Sequence, residues 1–87
     1  KWTVSDKIES ILQTLAERTV VLFAALFEKA TSRTEVVVTF LAVLEMIKRM
    51  QIHVEQERLF GEIVLVRRAD APTLEISREE LEADYTT

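Results

Sequence analysis

The stretch from Ser32 to Met50 constrains the fold most, because it reads as a helix that is apolar on almost every side. Ser32 and Glu35 have the spacing of a capping box, in which the serine hydroxyl accepts from the Glu35 amide and the glutamate reaches back to the Ser32 amide. From that start Val37, Phe40, Leu41, Leu44 and Ile47 fall at three- and four-residue steps and predict one core-facing stripe. Leu44 sits at its middle, so truncation to Ala is expected to cost about 2 to 5 kcal/mol. Val36, Val43, Met46 and Met50 flank the stripe, and a helix apolar most of the way round is either deeply buried or holds a partner. Directly after it, Ile52 and Val54 alternate with Gln51, His53 and Glu55, the period of a half-buried strand. Ile63 to Val66 reads as a second strand, with Gly61 punctuating the connection.

The rest of the chain is arranged around this unit. Ile8, Ile11, Leu12 and Leu15 keep helical spacing after Thr3 or Ser5, either of which suits an N-cap. Arg18 to Val21 is a β-branched interruption that suits a short strand, and Leu22 to Lys29 predicts a second helix with Phe23, Leu26, Phe27 and Ala30 on one face. The order α-β-α-α-β-β, with a short turn at Ala30-Thr31-Ser32, predicts a winged helix: α+β, mainly α, three helices plus a small β ribbon. Past Arg68 the run Ala69-Asp70-Ala71-Pro72 marks the expected end of that domain, leaving residues 1–68 as the winged helix and 69–87 as an acidic, partly ordered tail. Within the tail Ser77 and Glu80 offer another capping box ahead of Leu81, and Leu74 and Ile76 alternate around Glu75. Docking is expected as far as about Ile76, with the Ser77 helix projecting from a loose end.

Charge and composition exclude several functions. The net charge of −4 belongs to residues 69–87, which carry one basic against six acidic side chains, so the winged helix itself is nearly neutral. A recognition helix for DNA needs Arg, Lys, Asn or Gln aimed at base edges within a positive field. Here Arg33 stands at the start and Lys48 and Arg49 at the end, with Val36, Val37, Val43 and Met46 between, and that face cannot read bases. Catalysis has no more support: His53 stands alone beside Glu55, no Ser or Cys lies in a nucleophile motif, and a single glycine rules out a phosphate loop. No metal or cofactor is expected. The chain lacks cysteine and any apolar run of about 18 residues, which fits a soluble cytoplasmic protein with no membrane contact, and it opens on Lys1 like a piece of a longer protein. What remains is an apolar excess. Leu59 and Phe60 occupy the tip of the ribbon, and Val64 and Val66 face opposite to Ile63 and Leu65, so both sides of that strand are apolar. Leu59, Phe60, Val64 and Val66, with Val43 and Met50 on the neighbouring helix, are the candidate partner interface.

The run Phe40-Leu41-Ala42-Val43-Leu44-Glu45-Met46-Ile47-Lys48, followed by Ile52-His53-Val54-Glu55-Gln56-Glu57-Arg58-Leu59-Phe60-Gly61-Glu62-Ile63, resembles the C-terminal domain of the prokaryotic kleisin family, segregation and condensation protein A. The similarity covers about residues 18 to 66 and does not reach the tail. It implies a non-catalytic winged helix that binds the ATPase head of an SMC protein within the prokaryotic condensin complex, acting in chromosome condensation and segregation at the nucleoid. It also implies that the accessory subunit ScpB is contacted only through other parts of the kleisin. The alternative reading is the nucleic-acid-binding winged helix of a transcription regulator. The two differ in their affinity for duplex DNA and its salt dependence.

Overall fold

The computed structural model describes residues 2–74 and 78–85. Helix α1 spans Val4–Glu17 and starts in a complete capping box: Thr3 Oγ1 accepts from the Asp6 amide at 3.1 Å, and Asp6 Oδ2 accepts from the Thr3 amide at 3.1 Å. Of the two caps open to the sequence, Thr3 is the one used. Val4, Ile8, Ile11 and Leu15 recur at four- and three-residue steps and form the buried face.

Strand β1, Val20–Leu22, follows, and the chain then runs into a single 3₁₀ segment at Phe23–Phe27 in place of the helix expected over Leu22 to Lys29. The strand takes Leu22, and the Phe23 amide donates to the Ile63 carbonyl at 2.8 Å, which ties down the first residue after it. With its first residue held by the sheet, the segment forms a short 3₁₀ piece, a usual connector between such elements. Strands β2, Ile52–Glu55, and β3, Val64–Arg67, complete an antiparallel sheet of order β1-β3-β2. Val21, Leu65 and Val54 stand side by side across it, as do Val20, Val66 and His53. The first row lies on the side of the helices, which enclose Leu65 wholly and bury Val21 but leave Val54 exposed, while the second row faces outward. The expected ribbon is therefore a three-stranded winged-helix sheet.

Helix α2, Arg33–Lys48, corrects the expectation that Val37, Phe40, Leu41, Leu44 and Ile47 pack into the core. The opposite face is the buried one: Glu35, Thr39, Ala42, Val43 and Met46 lie inward, Met46 at 1% exposure, while Val37, Phe40, Ile47 and Leu44, at 45%, are open to solvent. Leu41 is half-buried. At roughly 100° per residue both sets make valid helical stripes, so periodicity alone cannot choose between them. Polar partners decide it. Thr39 returns its hydroxyl to the Glu35 carbonyl at 2.8 Å, and Glu35 Oε2 receives Lys7 Nζ from α1 at 2.7 Å. Because the Glu35 carboxylate goes to Lys7 and to the Thr31 amide, at 3.0 Å, only half of the expected capping box forms: Ser32 Oγ accepts from the Glu35 amide at 3.1 Å. Lys7 also stands 3.9 Å above the Trp2 ring, closing the α1–α2 contact at its N-terminal end.

The segment expected to project is instead docked. Helix α3, Arg78–Asp84, lays Leu81 into the core at 3% exposure. Arg78 bonds Asp6 and Glu9 of α1 at 2.9 and 2.8 Å, and Glu82 Oε2 accepts from the Ser5 amide at 2.7 Å. Tyr85 donates its hydroxyl at 2.5 Å to Glu45, a fully enclosed carboxylate of α2 that also receives Arg49. Burial alone would raise the Glu45 pKa, yet the hydrogen bonds from Tyr85 and Arg49 outweigh it and hold the carboxyl below its usual value. The proposed strand pattern at Glu75-Ile76 and the Ser77 cap lie outside the described residues.

Candidate partner-binding surface

Two devices set what the outer side of the domain displays. First, α2 packs through its polar-headed face, which turns Val36, Val37, Phe40, Leu44 and Ile47 outward with Arg33 and Lys48 at the two ends. In a helix-turn-helix this second helix is the one that enters the DNA groove. Its exposed side here has no Asn or Gln and a run of aliphatic and aromatic groups instead. Second, Phe23 of the 3₁₀ segment extends that surface toward the sheet, meeting Phe40 edge to face at 6.3 Å and Phe27 at 5.0 Å.

Among the described residues, two stand in backbone conformations that glycine normally supplies. Met50 has φ 61° directly after α2, where the Met50 amide donates to the Ile47 carbonyl at 3.0 Å and the Gln51 amide to the Met46 carbonyl at 2.9 Å. That pair of bonds is a Schellman motif, whose left-handed position is most often Gly. Phe60 has φ 63° as the third residue of the wing turn Arg58–Gly61, closed by the Gly61 amide on the Arg58 carbonyl at 2.9 Å. Left-handed backbone at a non-glycine residue costs about 1 to 3 kcal/mol and collects at functional sites. Both positions carry large apolar side chains exposed to solvent, Met50 about half and Phe60 at 93%, where Phe60 returns almost nothing to folding.

The candidate interface residues divide accordingly. Leu59, Phe60 and Met50 are exposed. Val64 and Val66 are half-buried on the outward side of the sheet beside Leu22 and Val20. Val43 is corrected: at 2% exposure it belongs to the core, because α2 turns its Ala42–Val43 side toward α1 and the sheet. The sequence reading missed Val36, Val37, Phe40, Leu44 and Ile47 as surface, having assigned Val36 to the flank of the core stripe and the other four to the stripe itself. The clue available was that Glu35, Thr39 and Glu45 all fall on the other side, but reading it requires knowing that Lys7 and Tyr85 arrive there. Between the 3₁₀ segment and the wing lies a cleft of about 230 Å³ lined by Leu22, Phe23, Ala24, Gly61, Glu62 and Ile63. Among the described residues no helix is long and apolar enough to cross a membrane.

Helix-turn-helix, three-stranded sheet and wing define a winged-helix domain, one whose recognition helix shows an apolar surface. The chain belongs to the family of segregation and condensation protein ScpA, whose sequence model matches residues 3–67. It is 43% identical over 68 residues to segregation and condensation protein A of Lactococcus lactis subsp. cremoris MG1363, covering 78% of this chain and 28% of that protein. To the protein of the same name from Myxococcus xanthus DK1622 it is 41% identical over 85 residues, 95% of this chain and 29% of that one. To that of Clostridium perfringens SM101 it is 43% identical over 65 residues, 75% of this chain and 26% of that one. The chain thus spans little more than a quarter of the length of these relatives.

Proposed function

We propose that this chain is a kleisin C-terminal domain, a non-catalytic interaction module that binds the ATPase head of an SMC protein and so helps to close the prokaryotic condensin ring. The observation that carries the reading is the exposed apolar side of α2, where Val36, Val37, Phe40, Leu44 and Ile47 adjoin one another at helical spacing, with Met50, Leu59 and Phe60 also exposed; adjoining apolar residues, unlike singly scattered ones, mark an interaction site. Membership of the ScpA family and the names of its relatives support a role in chromosome segregation and condensation. On this reading the protein works in the cytoplasm at the nucleoid without touching DNA or membrane itself. ScpB joins the complex through other parts of the kleisin, and no cofactor takes part.

Titration calorimetry with a purified SMC head tests this. The domain should bind, and Leu44→Asp with Phe60→Asp should weaken binding at least about thirtyfold, the effect of losing a 2 kcal/mol anchor. Circular dichroism should show the variant folded, since both side chains are exposed. Unchanged affinity in the folded variant would move the interface elsewhere. Micromolar or tighter binding to duplex DNA with a steep salt slope would restore the transcription-regulator reading.

A further inference from the structure

The cleft beside the wing has features that the α2 surface lacks. Its lining is apolar apart from Glu62. Gly61 and Glu62 also border a second hollow, lined further by Glu55, Glu57, Arg58, Phe60 and Val64. Three carboxylates thus line the two hollows with one guanidinium, that of Arg58, while the His53 ring bonds Glu55 at 2.9 Å from the neighbouring strand position. Through Leu22 and Phe23 the cleft is continuous with the Phe23–Phe40 edge of the α2 surface.

We infer that this cleft takes one apolar anchor side chain of the SMC head, carried beside basic residues that face Glu55, Glu57 and Glu62. This rests on the head-binding reading and specifies the partner's chemistry at one point of the surface. Glu62 on the cleft's lining and Glu55 and Glu57 in the adjoining hollow form an acidic rim that selects among possible occupants. A phosphate backbone meets repulsion there, and so does a second copy docking wing to wing, since it presents the same three carboxylates. A protein surface with an apolar side chain flanked by cations satisfies both the cleft and its rim. Such paired design is typical of interfaces, in which a desolvated pocket supplies affinity and surrounding charges supply steering.

Two neighbouring alanines give a matched test. Ala24 and Ala25 are both exposed on the same 3₁₀ segment, but Ala24 lines the cleft and Ala25 lines a different hollow together with Trp2 and Lys7. Ala24→Trp fills the cleft, so affinity for the SMC head should fall at least about thirtyfold, while Ala25→Trp stays within about threefold of the unsubstituted domain. Glu57→Lys with Glu62→Lys should slow association at low salt and flatten its salt dependence. Full binding by Ala24→Trp overturns the cleft assignment and leaves head binding standing. Equal losses in both tryptophan variants also overturn it, because the effect then belongs to the segment and not to the cleft. An association rate untouched by the charge reversals refutes the basic flank. If the unsubstituted domain fails to bind the head at all, the head-binding reading falls first. Sedimentation showing a dimer that Ala24→Trp abolishes would make a second copy the occupant.

Discussion

Leu44→Ala and Met46→Ala lie two residues apart on one helix, and the structure separates their costs. Met46 is 1% exposed within the cluster formed with Ile8, Ile11, Ile52 and Leu65. Removing its side chain forfeits transfer free energy and leaves a cavity, about 2 to 5 kcal/mol in comparable cores. Leu44 keeps 45% of its surface in water, so little more than half of a burial worth about 1.5 to 3 kcal/mol is at stake. Alanine retains part of that, and no closed cavity forms. A loss below about 1 kcal/mol follows, with a small offsetting gain because Ala is the better helix former. A domain of this length holds roughly 4 to 13 kcal/mol in total, so Met46→Ala removes a large share and Leu44→Ala a small one. Urea unfolding followed by far-ultraviolet circular dichroism reads the difference. With a slope near 1 kcal/mol per molar, the Met46→Ala midpoint should drop by about 2 M or more and the Leu44→Ala midpoint by less than about 1 M. Equal shifts, or a larger one for Leu44, would refute the orientation of α2 and with it the apolar docking surface.

Truncation after Leu74 removes α3, and the loss of Leu81 burial with the Tyr85–Glu45 bond should cost about 2 to 4 kcal/mol; a loss under 1 kcal/mol in the same urea assay would instead make residues 69–87 an independent tail. Tyr85→Phe alone should cost about 1 to 3 kcal/mol by leaving the enclosed Glu45 short of a donor, read as a lowered melting temperature. Burial first and the Glu45 carboxylate second push the Tyr85 phenol up to about 12, and it is the chain's one tyrosine, so its ultraviolet titration should show no ionisation below pH 10 in the folded protein. Because the folded value is the higher, its contribution to stability is whole below pH 10 and fades as the pH rises toward 12. Glu45 has the opposite sign: its folded pKa lies below 4.5, so the stability it contributes is whole above that value and lost as the pH falls further, and Glu45→Gln should flatten the acid limb of a stability-against-pH curve.

The sequence by itself determined the elements whose signals are local. The α1 stripe from Ile8 to Leu15, the Ser32 cap, the short strand near Val20 and the strand after Met50 each depend on neighbours a few residues away, and each is present, although burial along that last strand does not alternate: Gln51 and Ile52 are buried and Val54 is exposed. The winged-helix class followed from their order, and the lack of a basic reading face followed from which residues occupy α2. Only the tertiary structure decided which way α2 turns. Its apolar groups surround the helix, so the hydrophobic effect alone leaves its rotation nearly free, and the choice falls to polar groups that must be satisfied once buried. Glu35 finds Lys7 28 positions away, and Glu45 finds Tyr85 40 positions away. Those partners meet only when α1 and α3 are packed, which is why the stripe that reads as core is the surface, and why a short acidic helix that would be marginal in isolation becomes a layer of the domain.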